Sequence, residues 1–224
     1  MAKVLRSLTL LLVLLAADVV GESYNYRVKF GPVHAGSARI THVVEGDLLS
    51  SELIMTSLPW LSNLWTLSDT IVSSFDIESE RLIKQYKAIH EGSYHRSYRV
   101  HFGDSTVSVN GTISKHIPEG VFDIPSLLYH LSRSSFTHNE ILDYLLWDGR
   151  SFGRLTVHVE KIGKPTLLKP FQVRGWKLTP LSSTKKSREH EISLTLHFSN
   201  SDPKLPLQIH IDTKYGKVVM KLEE

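Results

Sequence analysis

Polar and apolar residues alternate one by one along most of the chain after residue 24. In the first such run, Tyr24, Tyr26 and Val28 are separated by single polar residues. A repeat of two places successive side chains on opposite faces of a β-strand, whereas a helix would scatter them around its surface. Further extended runs lie at 38–44, 53–55, 70–76, 82–90, 95–102, 105–110, 155–159, 171–178, 191–198, 207–212 and 217–222. The pattern predicts a mainly β chain that opens as an antiparallel meander.

Two segments break this rhythm and are predicted to be helical. The main helix is expected over 121–133, with Asp123 as its cap and Pro125 in its first turn. Its apolar stripe consists of Leu127, Leu128 and Leu131. The second segment, 57–67, is rich in Leu and Trp and fits a short helical turn that begins near Pro59.

The segment 137–149 carries two conflicting signals. Residues 137–140 resemble a capping box, which would start a helix into 141–146. Asp148 and Gly149 form a strong hairpin signal just before the alternating run at 155–159. We predict a hairpin. The fold class is therefore mainly β: a curved antiparallel sheet or half-barrel with one main helix and a short helical segment.

The first twenty-one residues have the layout of a cleavable secretory signal peptide. Lys3 and Arg6 precede an apolar run over 7–20, which small residues close. The apolar part is about fourteen residues, short of the roughly twenty that span a bilayer, so a retained anchor is the less favoured alternative. We expect cleavage after Gly21, or alternatively after Ala17, no stable membrane span after cleavage, and one β-rich domain over 22–224.

The composition narrows the compartment and the partners. The chain has no cysteine, which predicts a cleaved export signal rather than a lipid anchor and suits a bacterial periplasm. Its formal net charge of +3 is too weak for nucleic acid, which requires a basic patch or stripe. The tight basic cluster at 185–188 is expected in a solvated loop. We expect a periplasmic protein with no nucleic-acid partner.

Two short motifs resemble enzyme signatures, and neither has the required context. Residues 149–153 match the G-x-S-x-G nucleophile elbow around Ser151, but an alternating strand follows where a helix is needed. A hairpin turn is favoured, and a hydrolase at Ser151 is the less favoured reading. His90 and His95 are five residues apart rather than the four of a zinc-protease helix, so a solvent-facing hairpin is favoured there.

The remaining titratable residues are dispersed. The twelve His are scattered, and we expect them mostly at the surface. No carboxylate pair has a spacing that implies acid–base chemistry, and no spacing predicts a metal site. The sequence therefore assigns no catalytic residue, no metal and no cofactor.

The densest apolar and aromatic patch lies in the segment 57–67. It is either a core element that fills the open face of a curved sheet or a lid over an apolar cavity. Under the second interpretation, the ligand-binding residues would be Leu58, Trp60, Leu61, Leu64, Trp65, Leu127, Leu128 and Leu131.

Three segments follow one another in a recognisable order. They are YRVKFGPVHAG at 26–36, DIPSLLYHLSR at 123–133 and the closing stretch at 206–218. In this order they resemble the bacterial exported family called domain of unknown function 3108. Ser132, between Leu131 and Arg133, departs from the family's helix pattern.

This resemblance implies an envelope protein with a largely antiparallel β fold and assigns no catalytic residues. The family's general shape is similar to the lipoprotein carriers of the Lol pathway, which hold acyl chains against a concave sheet face; this is an analogy of fold only. We expect a non-enzymatic protein that binds an apolar or acyl ligand, such as a lipid, on its concave face. The alternative is an interaction module that docks on an envelope protein through edge strands.

Overall fold

Within the described residues, the protein forms one large curved sheet and two helices. The structure, a computed structural model, describes residues 20–62, 66–114, 119–149, 152–162, 175–180, 193–213 and 216–223. The strands are β1 (Val20–Phe30), β2 (Val33–Glu45), β3 (Leu48–Ser57), β4 (Ser68–Asp76), β5 (Arg81–Glu91), β6 (Tyr94–Phe102), β7 (Val107–Val109), β8 (Thr112–Ser114), β9 (Val121–Phe122), β10 (Ile141–Trp147), β11 (Phe152–Ile162), β12 (Gly175–Pro180), β13 (Ser193–Ser199), β14 (Pro206–Thr213) and β15 (Gly216–Leu222). The helices are α1 (Pro59–Ser62) and α2 (Ile124–Arg133).

All fifteen strands belong to a single sheet. Their order is β8-β7-β6-β5-β4-β3-β2-β1-β15-β14-β13-β12-β11-β10-β9. Neighbours are antiparallel except β9 and β10, which run parallel. The inward-facing residues of most strands form the core, as in β2, where Ala38 and Ile40 are buried and Ser37 and Arg39 are exposed. The predicted curved antiparallel sheet with one main helix and a short helical segment is confirmed.

Near the two ends of the sheet, side chains meet across the curl. Phe122 on β9 stacks on Phe75 of β4 with ring centroids 4.9 Å apart. Trp147 on β10 packs edge-on against Phe102 of β6 at 5.6 Å. Among the described residues no backbone ladder joins these ends, so the sheet curls into a barrel-like shape without closing.

Helix α2 lies inside this curl and starts later than the sequence predicts. Asp123 is its N-cap as expected, and it forms a capping box with Ser126. The predicted start at 121 is wrong: Val121 and Phe122 form β9, which pairs with β10. The reason is local, because the cap at Asp123 and Pro125 in the first turn fix where the helix begins, while the Val–Phe pair favours a strand.

The conflict over 137–149 resolves as a hairpin of β10 and β11. The backbone N–H of Thr137 donates to the Glu140 carboxylate, so the box-like motif closes a turn instead of starting a helix. Trp147 pairs with Phe152 across the turn. The G-x-S-x-G motif thus links two strands, with Ser151 itself outside the described residues.

The segment 57–67 contains the predicted short helical turn. Helix α1 covers Pro59–Ser62, and Leu67 forms a bridge with Glu91. The backbone N–H of Leu58 donates to the Ala35 carbonyl at 2.9 Å, which holds α1 beside the start of β2. Residues 63–65, including Leu64 and Trp65, lie outside the described residues.

Candidate functional site

A row of polar side chains crosses the concave face of five adjacent strands. Glu22, His42, Ser51, Ser73 and Gln85 are direct register partners from β1 to β5. The last four are buried, although most positions around them on the same face are apolar. Five strands at about 4.8 Å spacing cover about 19 Å, and a ten-residue helix is about 15 Å long, so the helix spans most of the row. Helix α2 lies along this polar row.

At the Gln85 end, the row joins the N-terminus of α2. Nε2 of Gln85 donates to Oδ2 of Asp123 over 2.9 Å. The other oxygen of Asp123 accepts from the Ser126 backbone N–H at 3.0 Å and from its hydroxyl at 2.7 Å. Asp123 is fully buried. One carboxylate thus caps the helix and attaches it to the sheet.

In the middle of the row, His42 is held as a neutral imidazole. Its Nδ1 lies 2.9 Å from the Ser51 hydroxyl, and the Tyr129 ring of α2 packs edge-on against it at 5.4 Å. Burial lowers the pKa of His42 to about 4. The imidazole therefore carries no charge at neutral pH.

At the Glu22 end, an ion pair joins β1 to the C-terminus of α2. Nη2 of Arg133 donates to Oε1 of Glu22 over 2.6 Å, and the Tyr24 hydroxyl donates to Oε2 at 3.0 Å. The Arg133 guanidinium also lies 3.7 Å above the Tyr129 ring. Burial, followed by the bond to Glu22, raises the pKa of Tyr24 to about 12, so its hydroxyl remains a donor.

A cleft opens beside this ion pair, between α2 and strands β1 and β2. It measures about 250 Å³ and is lined by Glu22, His42, Val44, Tyr129 and Arg133. Val44 and the Tyr129 ring form its apolar walls, and the two charged side chains form its polar rim. We call this space the α2 cleft.

A larger depression of about 350 Å³ lies on β4–β6. Its outer walls are Val72, Tyr86 and Arg99. More than a third of Val72 and of Tyr86 is exposed. This depression is a feature of the outer surface and does not enclose a ligand.

The Ser51–His42 pair has the hydrogen bond of a nucleophile and its base. Both residues are only 2 % exposed, and α2 covers them. A substrate cannot approach the Ser51 hydroxyl in this conformation. The arrangement therefore favours structural support of the cleft over nucleophilic chemistry.

The described residues contain no group of three or more His, Asp or Glu placed to hold a metal ion. His90 and His95 face each other across the β5–β6 hairpin, with ring centroids 3.8 Å apart. They would diverge on a helix, but they converge here because the hairpin makes them cross-strand partners. Within the same residues, no helix has the length and apolar character needed to cross a membrane.

The structure separates the predicted ligand-binding residues into two groups. Leu127, Leu128 and Leu131 are buried in the core, where α2 packs on the sheet. Around α1, Leu58 and Leu61 are half-buried, while Trp60 is 54 % exposed. The two groups do not form one site, because Ser57, just before α1, and Ser51, under α2, are six residues apart on β3, about 20 Å.

The polar row was missed by the sequence reasoning, although one signal pointed to it. His42 is in phase with Ala38, Ile40 and Val44, and this phase faces the core. The expectation of a surface imidazole is therefore wrong for His42, which is buried. The partners Ser51, Ser73 and Gln85 gave no such signal, because they meet His42 only through the register of the sheet.

Comparisons with known proteins extend this picture of the fold. A family model described as "Protein of unknown function (DUF3108)" matches residues 25–223. No curated protein matches the chain. A solved structure described as a beta-barrel-like protein of domain of unknown function DUF1849, from Brucella abortus, is similar with a TM-score of 0.57 and 12% identity. The match covers 93% of this chain and 98% of that one, and at this identity it shows a shared fold alone.

Proposed function

Because the chain belongs to the DUF3108 family, whose function is unknown, we propose a function from its own residues: it is an exported, non-enzymatic periplasmic protein that binds a small apolar or acyl ligand. The observation that carries this proposal is the α2 cleft, an unfilled space of about 250 Å³ beside helix α2. Export is inferred from the layout of residues 1–21.

The chemistry of the α2 cleft suits an amphipathic ligand. Val44 and the Tyr129 ring offer apolar contact, and the Glu22–Arg133 pair at the rim offers hydrogen bonds to a polar end group. His42 adds no charge inside, since its pKa is about 4. An acyl chain would enter with its methyl end and leave its head group at Arg133.

The volume of the cleft limits how much ligand it encloses. Sites for drug-sized ligands are usually about 300–1,000 Å³, and this cleft is about 250 Å³. Next to the cleft, Leu127, Leu128 and Leu131 of α2 are already buried in the core. We therefore place a short acyl chain, or the end of a longer one, in the α2 cleft instead of along the whole face.

Native mass spectrometry tests this proposal. Purified protein mixed with decanoate is expected to carry one bound molecule. Val44→Trp is expected to lose it because the indole fills the cleft, while Val72→Trp on the outer face retains it. Thermal unfolding of both variants verifies that each is folded. Failure of the wild type to bind decanoate, or equal binding by a folded Val44→Trp, would contradict the proposal.

A second function, docking of an envelope protein, is supported by the edge strand β8. Its Ile113 is 73 % exposed, and among the described strands β8 pairs only with β7. An extended peptide could add to this edge by backbone hydrogen bonding. A photo-crosslinker at Ile113 should give a defined protein adduct in cells, with one at Leu48 as the control; the same adduct from both positions would argue against the edge.

A further inference from the structure

Exposed aromatic and aliphatic side chains collect at one rim of the sheet. The turn between β1 and β2 presents Phe30 and Val33, which are 43 % and 46 % exposed. Helix α1 presents Trp60, and the start of β6 presents Tyr94, which is 43 % exposed. We call these four residues the aromatic rim. Exposed large apolar groups that cluster in this way mark an interaction surface.

Backbone hydrogen bonds fix the three loops of the aromatic rim relative to one another. The Leu58 N–H donates to the Ala35 carbonyl at 2.9 Å, which joins α1 to the β1–β2 hairpin. The Gly92 N–H donates to the Thr66 carbonyl at 2.7 Å, which joins the β5–β6 turn to the segment after α1. The rim is therefore a preformed surface and not a set of independent loop tips.

Three cations lie on the outer face of the sheet next to the Phe30 part of the rim. Lys29, the residue before Phe30, lies with Arg27 on the outer face of β1, and Arg27 pairs with Lys221 of β15. Burial, followed by the charges of Lys29 and Arg27, lowers the pKa of Lys221. Glu223 forms an ion pair with Arg27 at 3.0 Å.

Other charged groups at the rim are more balanced. Arg96 lies 5.8 Å from the Tyr94 ring, and Lys217 is paired with Asp212 at 3.5 Å. On the β4–β5 side the carboxyl groups of Asp69 and Glu91 are adjacent, and burial, with the neighbouring carboxylate in the case of Glu91, raises both pKa values. Among the described residues, the cations Arg27, Lys29 and Lys221 are thus grouped next to Phe30.

We propose that the aromatic rim docks on the surface of a lipid bilayer that contains anionic phospholipids. Trp and Tyr side chains favour the interface between water and hydrocarbon, because they combine an apolar body with a polar N–H or hydroxyl. Phe30 and Val33 add apolar surface that can enter the hydrocarbon. Lysine and arginine behind them reach the phosphate groups. This inference stands apart from the proposed ligand, since the rim lies at the other end of the strands from the α2 cleft.

Sedimentation with vesicles tests the docking. The purified protein is mixed with vesicles of phosphatidylcholine alone or with one third phosphatidylglycerol. We expect binding to the anionic vesicles that weakens with added salt. Because every variant carries the same N-terminus as the wild type, differences among variants report on the rim and not on residues 1–21.

The charge contribution is tested with Lys29→Ala/Lys221→Ala. Each cation near an anionic surface contributes about fivefold in binding, so the double variant should bind about 30-fold more weakly. The matched control is Lys84→Ala/Lys161→Ala, which has the same net charge and is expected to bind like the wild type. Equal weakening of both double variants would overturn the proposal.

The apolar contribution is tested with Phe30→Ser and Trp60→Ser. Both should bind more weakly, while Leu48→Ser at the opposite rim and Ile113→Ser on the edge strand should not. Brominated phosphatidylcholine in the anionic vesicles should quench tryptophan emission in the wild type and less in Trp60→Phe. No vesicle binding, or quenching unchanged in Trp60→Phe, would overturn the proposal; a protein partner captured by the rim without lipid would do the same.

Discussion

Gln85 and Asp123 are joined by a buried hydrogen bond of 2.9 Å that connects the sheet to its main helix. Asp123 also caps α2 through two bonds from Ser126. One end of α2 is therefore tied to β5, and the Arg133–Glu22 pair ties the other end to β1. The α2 cleft owes its shape to these two attachments.

Removing the carboxylate of Asp123 should destabilise the protein strongly. Asp123→Ala deletes a helix cap, which costs about 0.5–2 kcal/mol, and leaves the buried Gln85 amide without its acceptor, which costs about 1–3 kcal/mol. Urea unfolding measures the sum. Asp104→Ala is the control, because Asp104 forms an exposed ion pair with Arg81 and should change stability by less than about 1 kcal/mol. Similar losses in both variants would contradict the role given to Asp123.

Truncating the buried face of α2 should create a cavity. Leu131→Ala is expected to lower the free energy of unfolding by about 2–5 kcal/mol, because Leu131 is buried between helix and sheet. Leu48→Ala, at an exposed position, should lose much less. If both variants unfold at the same urea concentration, α2 is not packed as described.

Burial of His42 should make stability depend on pH. The pKa of His42 is about 4 in the folded protein, compared with about 6.5 in an unfolded chain. Between these values the unfolded state binds the proton more readily, so the stability present above about pH 6.5 is lost as the pH falls toward 4.

The measurement is the free energy of unfolding at pH 7 and at pH 4.5. The wild type should lose on the order of 2 kcal/mol more over this interval than His42→Gln does. Burial, with the His210 charge next, also lowers the pKa of His197 to about 4, but His197 is present in both proteins and cancels. Exposed His101→Gln should retain the wild-type slope. An unchanged slope in His42→Gln would show that His42 is not buried as a neutral group.

A side chain at Gly36 should break the pairing of β2 with β3. A Cβ atom built there would lie 2.1 Å from the Thr56 carbonyl oxygen, so Gly36→Ala forces the two strands apart. We expect a loss of about 1–3 kcal/mol or more. Gly153→Ala is the matched control, since a Cβ atom there meets nothing within 4 Å. Equal thermal stability of the two variants would argue against this strand register.

Much of the fold could be predicted because its signals are local. The alternation of Tyr24, Tyr26 and Val28 identified the buried face of β1. The Asp123 cap and Pro125 located the start of α2 to within three residues. Val121 and Phe122 could not be assigned correctly, because their pairing with Leu145 and Leu146 depends on residues more than twenty positions away.

The candidate site was harder to predict, because its residues become neighbours only through the pairing register of the strands. Ser51 and Ser73 are ordinary strand residues until the sheet places them beside His42 and Gln85. Trp60 shows the opposite difference. Its apolar character suggested a core or lid position, but helix α1 has no buried residue, so Trp60 is not part of the core. Only the pattern around His42 carried advance information, because its phase matched that of Ile40.

The α2 cleft as a ligand site is tested most directly by amide chemical shifts during a titration with decanoate. The shifts of Glu22, His42, Val44, Tyr129 and Arg133 should move together and saturate, while those of Leu48 and Ile113 remain in place. If decanoate leaves the residues of the cleft unchanged, or perturbs only residues outside it, the protein does not bind an acyl ligand in the α2 cleft.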